Sequence, residues 1–172
     1  MIDVLFITPN NSQKIYQKLS SNYSAVETPT WSLLLAESCR SKGYKVAILD
    51  TLAEQLTDDE SYIRIKSLKP RLICFVVYGQ NVNAGTTNMS GATRLSTFLK
   101  KKKIKCQISY IGSHVQALPR ETLEKEESID IVFLGEGVYS IWNLLSLNEI
   151  TSSSISKVKG IAYKNDDKIN FN

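Results

Sequence analysis

Apolar residues in this chain fall in short, nearly unbroken runs set apart by stretches of helical period. Ile2 to Thr8, Lys45 to Leu49, Arg71 to Tyr78, Gln107 to Ile111 and Asp130 to Leu134 are predicted as strands. The first and third are apolar throughout, as strands buried on both faces of a parallel sheet are. A helix is expected from Thr28-Pro29-Thr30 to Gly43, with Thr28 or Thr30 as its cap and Trp31, Leu34, Leu35 and Cys39 at helical spacing. Further helices are expected over Asp58 to Leu68, Met89 to Lys102, from Pro119 to about Leu123, and over Val138 to Leu147. Glu149 to Lys157 is Ser-rich and lacks apolar period, so it reads as a loop. Val158 to Phe171 has the pattern of a small hairpin.

Alternating strand and helix predicts an α/β fold with helices on both faces of the sheet. With right-handed crossovers, five strand–helix units give a flavodoxin-like (Rossmann-like) five-stranded parallel sheet in the order 2-1-3-4-5, plus the C-terminal hairpin. Residues 1–148 form the domain in this reading, and 149–172 a loop and hairpin connector. The ligand crevice of such a sheet lies outside the strands' carboxyl ends, between strands one and three. Both of those strands lead into long polar loops, Pro9 to Thr28 and Gly79 to Asn88. Tyr16 and Tyr23 in the first loop either pack it down or face a ligand. Strands four and five end on Gly112 and on Gly135-Glu136-Gly137, where a bulky ligand could lie close to the backbone. His114, the single histidine, follows Gly112.

Composition narrows the choices. The chain has 172 residues, 42% hydrophobic and 22% charged, as a globular domain of ordinary size does. Much of the net charge of +4 comes from Lys100 to Lys103 and Lys105. That run suits a solvated helix end and has no interleaved aromatics for a nucleic-acid surface. Cys39, Cys74 and Cys106 are odd in number and far apart, which favours reduced thiols in a cytoplasmic protein over a disulfide framework or zinc site. The N-terminus runs directly into a strand, so no signal peptide is expected, and no apolar stretch nears the ~20 residues that span a bilayer.

Several chemistries lack their residues. There is no G-x-G-x-x-G and no G-x-x-x-x-G-K-[ST], so dinucleotide and P-loop readings lose their basis. Thr8-Pro9-Asn10-Asn11 offers no carboxylate cluster for a phosphorelay receiver. Ser113 and His114 are neighbours on one turn, without the G-x-S-x-G elbow of a hydrolase. Catalysis by this chain alone is not expected.

Read together, these pieces resemble the cobalamin-binding domain that precedes the radical domain in cobalamin-dependent radical S-adenosylmethionine (SAM) proteins. The matching segments are the first strand ending at Pro9, then Pro29-Thr30-Trp31-Ser32-Leu33-Leu34-Leu35-Ala36, and Gly43-Tyr44-Lys45-Val46-Ala47-Ile48-Leu49-Asp50. They continue with Gly112-Ser113-His114-Val115-Gln116-Ala117-Leu118-Pro119-Arg120-Glu121, Asp130-Ile131-Val132-Phe133-Leu134-Gly135-Glu136-Gly137 and Gly160-Ile161-Ala162-Tyr163. The family shows Gly-Gly-x-His, Pro-Glu-Glu and Gly-Glu-Gly-Glu at the corresponding places. Here Ser113 replaces the second glycine, Val138 the final acidic residue, and no D-x-H-x-x-G motif occurs.

The resemblance implies a cobalamin module of a radical SAM enzyme performing methyl transfer or related radical chemistry. No protein histidine would ligate cobalt, as is common in the family. SAM and an iron–sulfur cluster would belong only to a downstream domain, whose C-x-x-x-C-x-x-C motif does not occur before Asn172. Cofactor contacts are expected from Thr8, Asn10, Thr28, Tyr78, Gly79, Gln80, Asn81, Gly112, Ser113, His114, Val115, Gly135, Glu136 and Gly137, with Asn83 as a further amide partner. The expected partners are cobalamin and a radical SAM domain, with neither nucleic acid nor membrane. His114 and Glu136 also have bland readings, as residues fixing a helix start, and Trp142 reads as core. The other reading is a degenerate domain that docks without the cofactor; a flavin-binding version of the fold is more distant.

Overall fold

The computed structural model describes residues 1–11, 26–79, 82–165 and 168–172, with only the backbone of 82–84. Its strands are β1 (Ile2–Thr8), β2 (Val46–Asp50), β3 (Pro70–Val76), β4 (Gln107–Ile111), β5 (Ile131–Phe133), β6 (Ile161–Asn165) and β7 (Lys168–Phe171). The helices among the described residues are α1 (Thr30–Arg40), α2 (Asp58–Leu68), α3 (Val82–Lys101), α4 (Ser113–Ala117), α5 (Pro119–Lys125), α6 (Val138–Leu145) and α7 (Ser152–Ile155).

The sheet has seven strands rather than five, in the order β2-β1-β3-β4-β5-β6-β7. Strands β1 to β5 pair in parallel, and β6 and β7 add antiparallel on the β5 edge. The expected hairpin is therefore continuous with the sheet, which is mixed. Ile161, Ala162 and Tyr163 pair with Phe133, Val132 and Ile131, which leaves those short apolar residues no open edge.

One core lies on each face of the sheet. Leu35, Ala36 and Cys39 of α1 and Ile141, Leu144 and Leu145 of α6 cover Val4, Phe6, Leu72, Cys74 and Val76. Ile65 of α2, Ala92, Leu95 and Leu99 of α3, and Leu123 of α5 cover Leu5, Ile7, Ile73, Phe75, Ile108 and Val132. Two polar devices brace the amino end of the sheet. Arg71 pairs with Asp3 and donates to the carbonyls of Leu145, at the end of α6, and of Leu147 and Asn148 just beyond it. Asp130 accepts from Lys100 Nζ at 2.7 and 2.8 Å and from the Ile108 amide at 2.7 Å.

Five local expectations change. α3 begins at Val82, not Met89, and takes in most of the loop expected after β3. α4 was expected as a turn, and α7 as loop. The buried stripe of α1 is Ser32, Leu35, Ala36 and Cys39, while Trp31 and Leu34 are exposed. No threonine caps α1: its cap position is Pro29, and no side chain bonds there. Of the first loop, residues 12–25, with Tyr16 and Tyr23, lie outside the described residues.

Candidate functional site

The carboxyl ends of the parallel strands form one rim, and Tyr78 stands at its centre. It leaves β3 at the point where the strand order reverses, and three helices, α1, α3 and α4, meet it directly. Its carbonyl accepts from Asn88 Nδ2 of α3 at 2.8 Å, and Asn88 in turn accepts from Asn11 in the loop after β1. Gln116 of α4 donates to its phenol at 2.6 Å and to the Gly135 carbonyl, also at 2.6 Å. Its ring stacks on Trp31 of α1, centroids 4.5 Å apart and planes 25° from parallel. Partial burial raises the phenol's pKa; the Gln116 bond opposes that, and the nearby Glu136 carboxylate adds to it. Tyr78 therefore stays a neutral phenol.

The three glycines expected to admit a ligand do three different things. A β-carbon on Gly112 would stand 2.5 Å from the Val77 carbonyl oxygen, so this glycine lets β4 close against β3. Gly137 has φ +72° and starts α6 from a left-handed turn, the conformation that glycine supplies at little cost. Gly135 alone faces open space, with no heavy atom within 4 Å of where a β-carbon would be. Gly112 is thus needed for the packing of β4 on β3, and Gly135 is the one of the three with open space where a side chain would be.

Around these, the remaining expected residues divide. The Thr8 hydroxyl bonds the Ser32 hydroxyl at 3.0 Å, while its carbonyl accepts from the Thr51 amide and hydroxyl. Arg94 of α3 donates to the Asn10 carbonyl. Gly79 is partly exposed beside Tyr78, and Glu136 is exposed between the two rim glycines. His114 Nδ1 lies 3.2 Å from the Thr86 hydroxyl, so the start of α4 is tied to α3. Ser113 turns toward Gly85 of α3, which has no side chain to meet it. Val115 does not line the rim: it is fully buried in the core beneath. Thr28 is exposed ahead of α1. Gln80 and Asn81 lie outside the described residues, as does the side chain of Asn83. Among the described residues, no three His, Cys, Asp or Glu side chains group as a metal site would need.

Sequence reasoning did not single out Trp31, Asn88 or Gln116 for the rim. Gln116 stood inside a quoted motif, but nothing in the pattern showed that its amide spans β3 and β5. Ser32 is a polar residue in an apolar stripe, and that was a readable signal for a bond to Thr8.

A family model described as the B12 binding domain matches residues 18–144. The chain belongs to the B12-binding domain family. Among curated proteins, this B12-binding domain is 29% identical over 128 residues to an anaerobic magnesium-protoporphyrin IX monomethyl ester cyclase of Synechocystis sp., covering 74% of the chain and 24% of the relative. Among solved structures, it superposes on the cobalamin-dependent SAM radical enzyme OxsB with aqua-cobalamin bound, at TM-score 0.72 and 15% identity, over 100% of this chain and 22% of that one. It also superposes on the radical SAM methyltransferase TsrM from Kitasatospora setae with cobalamin and a 4Fe-4S cluster bound. There the TM-score is 0.65 and the identity 14%, over 96% of this chain and 28% of that one. The likeness to the solved enzymes is one of fold. The chain spans about a quarter of the length of the curated relative and of these two enzymes. Among the described residues no helix is long and apolar enough to cross a membrane.

Proposed function

We propose that this domain binds cobalamin on the rim around Tyr78 and serves as the cobalamin module of a radical SAM enzyme. The observation that carries this reading is the open backbone at Gly135, beside a hydrogen-bonded hub that joins the loops after β1, β3 and β5 through α3 and α4 at one end of the sheet. A bulky, amide-rich ligand needs such a place, where backbone is bare and polar groups are held in fixed directions. The residues present fit the group. Gly135, Glu136, Gly79, Tyr78 and Thr8 would line its seat, with Gly137 shaping the turn beneath them; His114 and Ser113 support the seat through α3. Gln80 and Asn81 would add amides from the β3 loop.

Cobalamin supplies cobalt-centred chemistry, carriage of a methyl group or participation in a radical reaction. The domain's own residues orient it and keep water from one side. No histidine would ligate cobalt. His114 has Nδ1 beside Thr86, and the loop after β1 begins Pro9-Asn10-Asn11. The family match favours this reading over docking without cofactor.

In this reading residues 149–172 lead toward a radical SAM domain, which would hold SAM and the iron–sulfur cluster. β7 runs antiparallel to β6, so Asn172 stands at the rim, its backbone paired with Gly160 and Ile161. A segment following it would emerge at the same end of the sheet as the cofactor. The unpaired thiols suit the reducing cytoplasm: burial pushes Cys39 and Cys74 up to about 12.

The test is an absorbance titration of the purified chain with hydroxocobalamin and methylcobalamin, followed by desalting. Colour retained at one equivalent supports the reading. Absence of any spectral change at millimolar cofactor, with both this chain and a longer protein containing it, sinks it.

A further inference from the structure

Trp31 is 41% exposed although it sits in the first turn of a helix packed on the core. Ser32, Leu35, Ala36 and Cys39 do the packing, so nothing in the docking of α1 requires an indole at position 31. One face of the ring is spent on Tyr78, so the exposure belongs to the other face and the edge. Tyr78 behind it is fixed at its carbonyl by Asn88 and at its phenol by Gln116, which makes the pair a rigid shelf. Leu34, 58% exposed and three residues on along the same helix, extends the apolar surface beside it.

We propose that Trp31 is the stacking shelf for the planar heteroaromatic base of the cofactor's nucleotide tail. This rests on the cobalamin reading above and deepens it. Cobalamin presents one flat aromatic group, its dimethylbenzimidazole. The corrin periphery carries methyl and amide side chains on tetrahedral carbons, which hold an indole face away. An aromatic shelf with one free face therefore selects the tail, not the ring. A face-to-face contact of this kind is tolerant of substituents and strong for its area.

The experiment compares hydroxocobalamin with diaquacobinamide, which has the same corrin and no nucleotide tail. Both are titrated into the full chain as wild type, W31F and W31A, with thermal unfolding followed in parallel. The expected result is that W31A weakens hydroxocobalamin binding at least about fivefold, the scale of one lost aromatic stack. Cobinamide affinity stays within twofold, and W31F keeps most of the cobalamin affinity. Equal weakening of both ligands would overturn the assignment, because Trp31 would then act on the corrin or through the fold. Unchanged affinity for both would also overturn it and leave Trp31 facing a protein partner. If the wild type binds neither ligand, the cobalamin reading itself fails and the shelf falls with it.

Discussion

Gly85 and Ser113 are matched to each other. A side chain at Gly85 would run into Ser113 Oγ and crowd the Val77 carbonyl. The Ser113 side chain takes the space that the bare Gly85 leaves, so it does not crowd the rim. Gly85→Ala is expected to destabilise the protein by about 1–3 kcal/mol, the usual cost of overpacking, despite alanine's better helix propensity. Adding Ser113→Gly should recover part of the loss in a double-mutant cycle read by urea unfolding. Full additivity of the two changes would show that they do not touch. The glycines of the rim carry a similar lesson. They are visible in sequence, but which one faces open space and which faces backbone depends on a neighbour far along the chain: Val77 for Gly112, and no atom at all for Gly135.

At the scale of elements, α1 and α3 depart from their expected forms for one reason, packing contacts that outweigh composition. α3 opens with Asn, Gly and Thr residues that favour loops, yet Gly85 and Gly91 let it lie against Val77 and the Asn10 backbone. α1 is rolled so that Ser32 meets Thr8, and this turns Leu34 and Trp31 outward. Arg71 joins three elements by pairing with Asp3 of β1 and bonding the carbonyls at and just after the end of α6. Arg71→Met would leave Asp3 without its guanidinium and those carbonyls without a donor. A loss of about 2–3 kcal/mol is expected in denaturant unfolding, the range for hydrogen bonds to a charged group. Lysine would restore less than half, since its point charge cannot reach several carbonyls at once.

For the whole molecule, the last strands are part of the core. Ile155, Val158, Ile161 and Tyr163 are buried with α1 and α6, and Asn172 Nδ2 donates to the carbonyls of Ile155, Ser156 and Val158. A chain cut after residue 148 would expose the β5 edge and these apolar contacts. It is expected to aggregate or to lose cooperative unfolding, which gel filtration and a thermal melt would show. Buried thiols set a further property of the whole fold. Burial raises Cys39 and Cys74 from 9.0 to about 12 and Cys106 to about 11. Their folded pKa values lie above the unfolded ones, so the stability they give is complete below pH 9. It is lost as pH rises from 9 through 11 to 12, because the unfolded chain then ionises first. Alkaline unfolding should therefore begin above pH 9 in circular dichroism, and Cys74→Ala should move its onset upward.

The sequence by itself determined the alternation of strands and helices, most strand positions and the family resemblance. Those depend on local apolar period, turn residues and short motifs, all of which are written along the chain. Only the tertiary structure decided that the hairpin completes a seven-stranded sheet, that Tyr78 is the hub of the rim and that Trp31 is left exposed beside it. These depend on contacts between residues tens of positions apart, such as Gln116 with Tyr78 and Gly135, or Trp31 with Tyr78. Sequence period carries no record of which distant side chain will complete a hydrogen bond or cover a ring face.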